Sequence, residues 1–94
     1  MLNDLFEIIQ DRKENRPDGS YTVQLLDRGS QAILRKLGEE AVEVLLAAHG
    51  EGKGRLVEET ADLFYHTLVL LAAHDISLTA VEDELRRRHL RNPR

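Results

Sequence analysis

The chain has no cysteine, no tryptophan, two prolines and only 4% aromatic residues in 94 positions. Each shortage excludes something. Without cysteine there is no disulfide scaffold, no thiolate zinc site and no thiol nucleophile, and a reducing cytoplasmic setting is the matching expectation. With so few aromatics, the core must be built from Leu, Val, Ile and Ala, which suits packed helices. The prolines stand at Pro17 and Pro93, so nothing interrupts the long middle of the chain. The longest unbroken apolar run, Leu68 to Ala73, is far too short to cross a bilayer. The first ten residues carry Asp4 and Glu7 in place of the basic stretch of a secretory leader. A net charge of −4 disfavours a general nucleic-acid binder. The expectation is one small domain over 1–94, with neither a membrane nor a nucleic acid as partner.

What is present is helical periodicity. Leu2, Leu5, Phe6 and Ile9 predict a first helix over about 3–13, capped by Asn3 or Asp4, and the run from Glu14 to Gly19 reads as a turn. Thr22 is the expected cap of a short helix through Asp27, stopped by Gly29. Ser30 opens a long helix to about His49. On it Ile33, Leu34, Leu37, Ala41, Val44, Leu45 and Ala48 share one arc, while Val42 and Leu46 fall on the other side. A helix apolar on two faces is more than one 94-residue subunit needs, and a second copy of the chain is the simplest cover. The glycines of 49–54 form a helix connector; their spacing does not match a phosphate-binding G-x-x-x-x-G-K-[ST] loop. Arg55 to about His74 is apolar nearly all round, and Ser77 or Thr79 caps a last helix ending in Arg86, Arg87 and Arg88. The fold class is all-α.

Two acidic patterns interrupt the two most apolar stretches: Glu40-Ala41-Val42-Glu43 and Glu59-Thr60-Ala61-Asp62. Positions i and i+3 share a helix face, so each pattern aims two carboxylates the same way. Carboxylates are rarely buried unless something neutralises them. Glu59 and Asp62 have only Arg55, four residues before Glu59, as a basic neighbour at helical spacing. A cation is the remaining way to hold them. All-oxygen ligation points to Mg2+, with Mn2+ as its substitute, and to phosphate chemistry.

These residues resemble a known family. Glu40-x-x-Glu43 with Glu59-x-x-Asp62 is similar to the metal signature of the all-α nucleoside triphosphate pyrophosphohydrolases, the MazG-like superfamily. Within it, Ser20-Tyr21-Thr22, Leu25-Leu26, Gly29, Lys36-Leu37-Gly38-Glu39-Glu40-Ala41-x-Glu43, Glu59-x-Ala61-Asp62-Leu63-x-Tyr65-His66, Ile76-Ser77-Leu78 and Glu84-Leu85-x-x-Arg88 resemble the phosphoribosyl-ATP pyrophosphohydrolase family over about residues 3–91. The resemblance implies a helical bundle completed by homodimerisation. It also implies Mg-dependent hydrolysis of phosphoribosyl-ATP to phosphoribosyl-AMP and pyrophosphate, the second step of histidine biosynthesis.

On that resemblance Glu40, Glu43, Glu59 and Asp62 are the expected metal ligands. Glu39 is a candidate base, or a partner of a ligand, or simply an exposed acid. Lys36 and Arg88 are candidates for phosphate contact, with an ion pair and a solvated terminal arginine as their plainer readings. His66 either touches substrate or is a hydrogen-bonded structural group. Ser20, Tyr21 and Thr22 are candidate ribose or phosphate contacts, and Tyr65 is expected in the core. Two rival readings keep part of this pattern: a house-cleaning nucleotide pyrophosphatase with a different base pocket, and a non-catalytic helical dimerisation module whose acidic stripes meet a basic partner.

Overall fold

A computed structural model describes residues 1–89, among which there are helices and no strand. The helices are α1 (Leu2–Asn15), α2 (Tyr21–Arg28), α3 (Ser30–Leu46), α4 (Lys53–Ala73) and α5 (Leu78–His89), and a π-helical turn, Ala47–Glu51, extends α3. Residues 90–94, the end of the expected domain and of the resemblance, lie outside the described residues.

α3 and α4 form the central antiparallel pair, and α1 and α2 pack across them. The core is aliphatic, as the scarcity of aromatics requires: Ile9 of α1, Leu25 of α2, Ile33 of α3 and Val69 of α4 are almost fully buried, joined by Phe6, Leu68, Ala72 and Leu78. α5 turns away from α4 at 111°. Among the described residues no single helix is long and apolar enough to cross a membrane.

The junctions follow cap chemistry. Ser20, not Thr22, caps α2: its Oγ accepts the Val23 N–H at 3.2 Å. Thr22 is the second residue of the helix, is buried, and hydrogen-bonds the Tyr65 hydroxyl instead. Ser77 caps α5 by accepting the Ala80 N–H at 3.1 Å. α1 starts at Leu2, ahead of the expected Asn3 or Asp4 cap. The end of α4 is closed by Asp75 at φ 57°, with the Ile76 N–H reaching back to the Leu71 carbonyl at 2.9 Å. Lys13 locks that end to α1, donating to the Ala72 carbonyl at 2.7 Å and to Asp75 at 2.6 Å. The expected 49–54 connector is shorter than its glycines suggest, because the π turn uses Gly50 and α4 already begins at Lys53. Gly52 alone breaks the path, at φ 93°.

The predicted apolar arc of α3 is only partly inside. Ile33 is buried, but Leu34, Val42, Leu45 and Leu46 are all more than half exposed, as is Val57 on α4. One subunit leaves both of the expected apolar faces of α3 open.

The cap assignment gives a test. Ser20→Ala should lower the unfolding free energy by about 1 kcal/mol in urea denaturation, whereas Ser20→Gly should lose only a few tenths. Equal stability of Ser20→Ala and the unaltered chain would remove the cap.

Candidate metal centre

α3 and α4 bring three carboxylates together. Glu40, Glu43 and Glu59 each offer an oxygen within 4.8 Å of the others. Glu40 is 5% exposed and Glu59 3% exposed, while Glu43 sits at the open rim.

The two buried acids are held alike. On α3 the Lys36 ammonium lies 3.3 Å from one oxygen of Glu40, four residues on. On α4 Arg55 lies 2.5 Å from one oxygen of Glu59, also four residues on. In each case the second oxygen, Oε2, is buried with no hydrogen-bond partner. The sequence-based view that counter-charge is scarce is thus half right. Each buried acid has one cation of its own helix, and each keeps one oxygen unpaired. Leaving buried charged acceptors unsatisfied costs more than an ordinary lost hydrogen bond.

The electrostatics agree. The Glu59 carboxyl is pushed up to about 7 by its contact with Glu43, then by burial and by the Glu43 charge, with Arg55 opposing and Asp62 adding to the rise. Lys36 is raised above its ordinary value, first by its hydrogen bond to Glu40, with partial burial opposing. Two orphaned oxygens beside a third carboxylate make a hard, all-oxygen donor set that a divalent cation fits.

Asp62 stands apart from this trio. Its side chain is exposed, and its backbone carbonyl accepts from His66 Nδ1 at 2.7 Å. Because that carbonyl can only accept, Nδ1 carries a proton, and Nε2 pairs with the Tyr21 hydroxyl at 3.3 Å. His66 is buried against the edges of Tyr21 and Tyr65. Tyr65 is held in the core by Thr22, and burial raises its hydroxyl above the ordinary value. Ser20 and Thr22, candidate substrate contacts, therefore both have their hydroxyls engaged within the fold. Arg88 stands on α5 beside Glu84, at 3.3 Å, and lines a separate groove with Ile76, Ala80 and Leu85.

Next to the trio, a cavity of about 360 Å³ opens between α2 and α3. Tyr21, Lys36 and Glu39, all named from the sequence, line it with Leu25 and Ala32. So do Arg28 and Arg35, which sequence reasoning passed over. The signal was there: Ala32, Arg35, Lys36 and Glu39 recur at helical spacing on the face that carries Glu43 one turn further on.

An α-helical pair converging paired acids beside a cationic cavity defines the class of all-α nucleotide pyrophosphohydrolases. Residues 2–89 match the family described as phosphoribosyl-ATP pyrophosphohydrolase, and the chain belongs to that family. Proteins named phosphoribosyl-ATP pyrophosphatase are similar to it along nearly their whole length. The one from Metallosphaera sedula is 54% identical over 88 residues, covering 94% of this chain and 95% of the relative. The one from Pelotomaculum thermopropionicum is 52% identical, covering 90% and 87%. The Listeria monocytogenes protein is also 52% identical, covering 94% and 84%.

The raised carboxyl gives a pH signature. Glu59 titrates near 7 when folded against an ordinary value of 4.5. Its destabilising contribution is therefore absent below 4.5, grows as pH rises, and is complete above 7. In chelator-treated protein, the melting temperature of Glu59→Gln minus that of the unaltered chain should rise across this window. A difference that stays flat from pH 4.5 to 7.5 would contradict the coupling of Glu59 to Glu43.

Proposed function

We infer that the protein hydrolyses 1-(5-phosphoribosyl)-ATP to 1-(5-phosphoribosyl)-AMP and pyrophosphate, the second step of L-histidine biosynthesis, with Mg2+ as cofactor and Mn2+ as substitute. The observation that carries this is the convergence of Glu40, Glu43 and Glu59, two of them with an unpartnered buried oxygen, in a member of this family. Relatives sharing about half their residues bear the same activity in their names, which favours this substrate over the house-cleaning reading. Acids buried at 3–5% exposure disfavour the dimerisation-module reading, since a docking face does not require them inside.

In this reading Glu40, Glu43 and Glu59 hold the ion, and Asp62 is the fourth ligand; its charge already reaches Glu59. A bound Mg2+ would supply Lewis acidity to offset charge on the leaving pyrophosphate. The chain's own work is positioning. Lys36 and Arg55 fix the buried acids from one turn before. Glu39, which lines the cavity, would take the proton from the attacking water as the bond between the α and β phosphates breaks. His66, anchored at both ring nitrogens, holds Tyr21 at the cavity mouth. A homodimer covers the exposed Leu34, Val42, Leu45 and Leu46 of α3 together with Val57 and Phe64 of α4.

Glu40→Gln and Glu43→Gln should each lower Mg-dependent pyrophosphate release from phosphoribosyl-ATP by roughly a hundredfold or more, with helicity by circular dichroism retained. Full activity in both, or faster turnover of ordinary nucleoside triphosphates by the unaltered enzyme, would overturn the assignment. The unaltered protein should sediment with the mass of two chains at micromolar concentration and Leu45→Asp should shift it towards one. Sedimentation of the unaltered protein as a single chain would reject the dimer.

A further inference from the structure

In a chain of net charge −4, the cavity between α2 and α3 gathers three cations, Arg28, Arg35 and Lys36, and only one carboxylate, Glu39, among its lining residues. Lys36 is already committed to Glu40. Arg28 and Arg35 are not: among the described residues neither forms an ion pair, whereas Arg12, Arg16, Arg55, Arg86, Arg87 and Arg88 all do. Two guanidinium groups with no ion-pair partner, one from each helix, line one concavity and are free to receive an anion.

The geometry distinguishes this place from the metal centre. Arg35 precedes Glu40 by five residues and Glu43 by eight, so along α3 it stands about 7.5 Å and about 12 Å from them at 1.5 Å per residue. Ala32, with its single methyl, and Tyr21 line the cavity together with the arginines.

The substrate inferred above, on which this step rests, has two anionic ends. The triphosphate belongs with the cation at Glu40, Glu43 and Glu59. The phosphomonoester on the ribose attached to the adenine has no such neutralising ion. We propose that Arg28 and Arg35 bind this second, distal phosphate, and that the cavity is what separates phosphoribosyl nucleotides from ordinary ones. Guanidinium forks match phosphate oxygens in pairs, a geometry that a lysine does not reproduce.

The products give a test free of catalysis: phosphoribosyl-AMP carries the distal phosphate and AMP does not. By isothermal titration calorimetry the unaltered enzyme should bind phosphoribosyl-AMP more tightly than AMP. Arg28→Ala and Arg35→Ala should each weaken phosphoribosyl-AMP roughly 10- to 100-fold and AMP less than about threefold, with Arg35→Lys falling between. Ribose 5-phosphate should compete with phosphoribosyl-AMP in the unaltered enzyme and lose that ability in both alanine variants. Equal losses for the two nucleotides would place the arginines on the shared phosphate and overturn the proposal, as would unchanged affinities or no preference in the unaltered enzyme. Pyrophosphate release is measured separately. An enzyme inactive on phosphoribosyl-ATP but still selective in these titrations would lose the proposed reaction and keep the pocket.

Discussion

Glu40 and Glu59 are buried near each other, each with one oxygen neutralised by a cation from its own helix and the other left without a hydrogen-bond partner. Such an arrangement in a dry helical interface is unfavourable on its own. The rest of the small domain is organised to enforce it. Ile33, one turn before Lys36, and Leu68 and Val69 further along α4 belong to the buried cluster that packs the helix pair carrying Glu40 and Glu59. Ile9 and Leu25 close the other side. The aliphatic core supplies the stability that the acids spend.

The same pair meets solvent through its neighbour. Glu43, at the rim, completes the trio and raises the Glu59 carboxyl. The face it shares with Lys36, Glu39 and Ala32 continues into the cavity between α2 and α3. In the proposed reading, substrate would meet an acidic end suited to a cation and a basic end suited to a bare phosphate. One helix, α3, carries parts of both.

Much of this was legible in the residues. Helical periodicity placed α1 to α5 within a turn of their observed ends, because long amphipathic stretches depend on one simple spacing. The i, i+3 acids inside apolar runs marked the centre, since such acids are rare without a neutralising partner. Other features depend on tertiary geometry that spacing does not encode. Ser20 in place of Thr22 as cap is decided by where Tyr65 waits for a hydroxyl. Asp62, paired with Glu59 by spacing alone, remains exposed while Glu43 reaches across from α3. The unpaired state of Arg28 and Arg35 appears only once every carboxylate has found its place.

The most direct measurement is the anomalous scattering of a crystal soaked in Mn2+. A peak within metal–oxygen bonding distance of Glu40, Glu43 and Glu59 is the predicted result, with the Oε2 atoms of both buried glutamates among the ligands. No peak there at saturating Mn2+ would contradict the cation site on which the proposed chemistry depends.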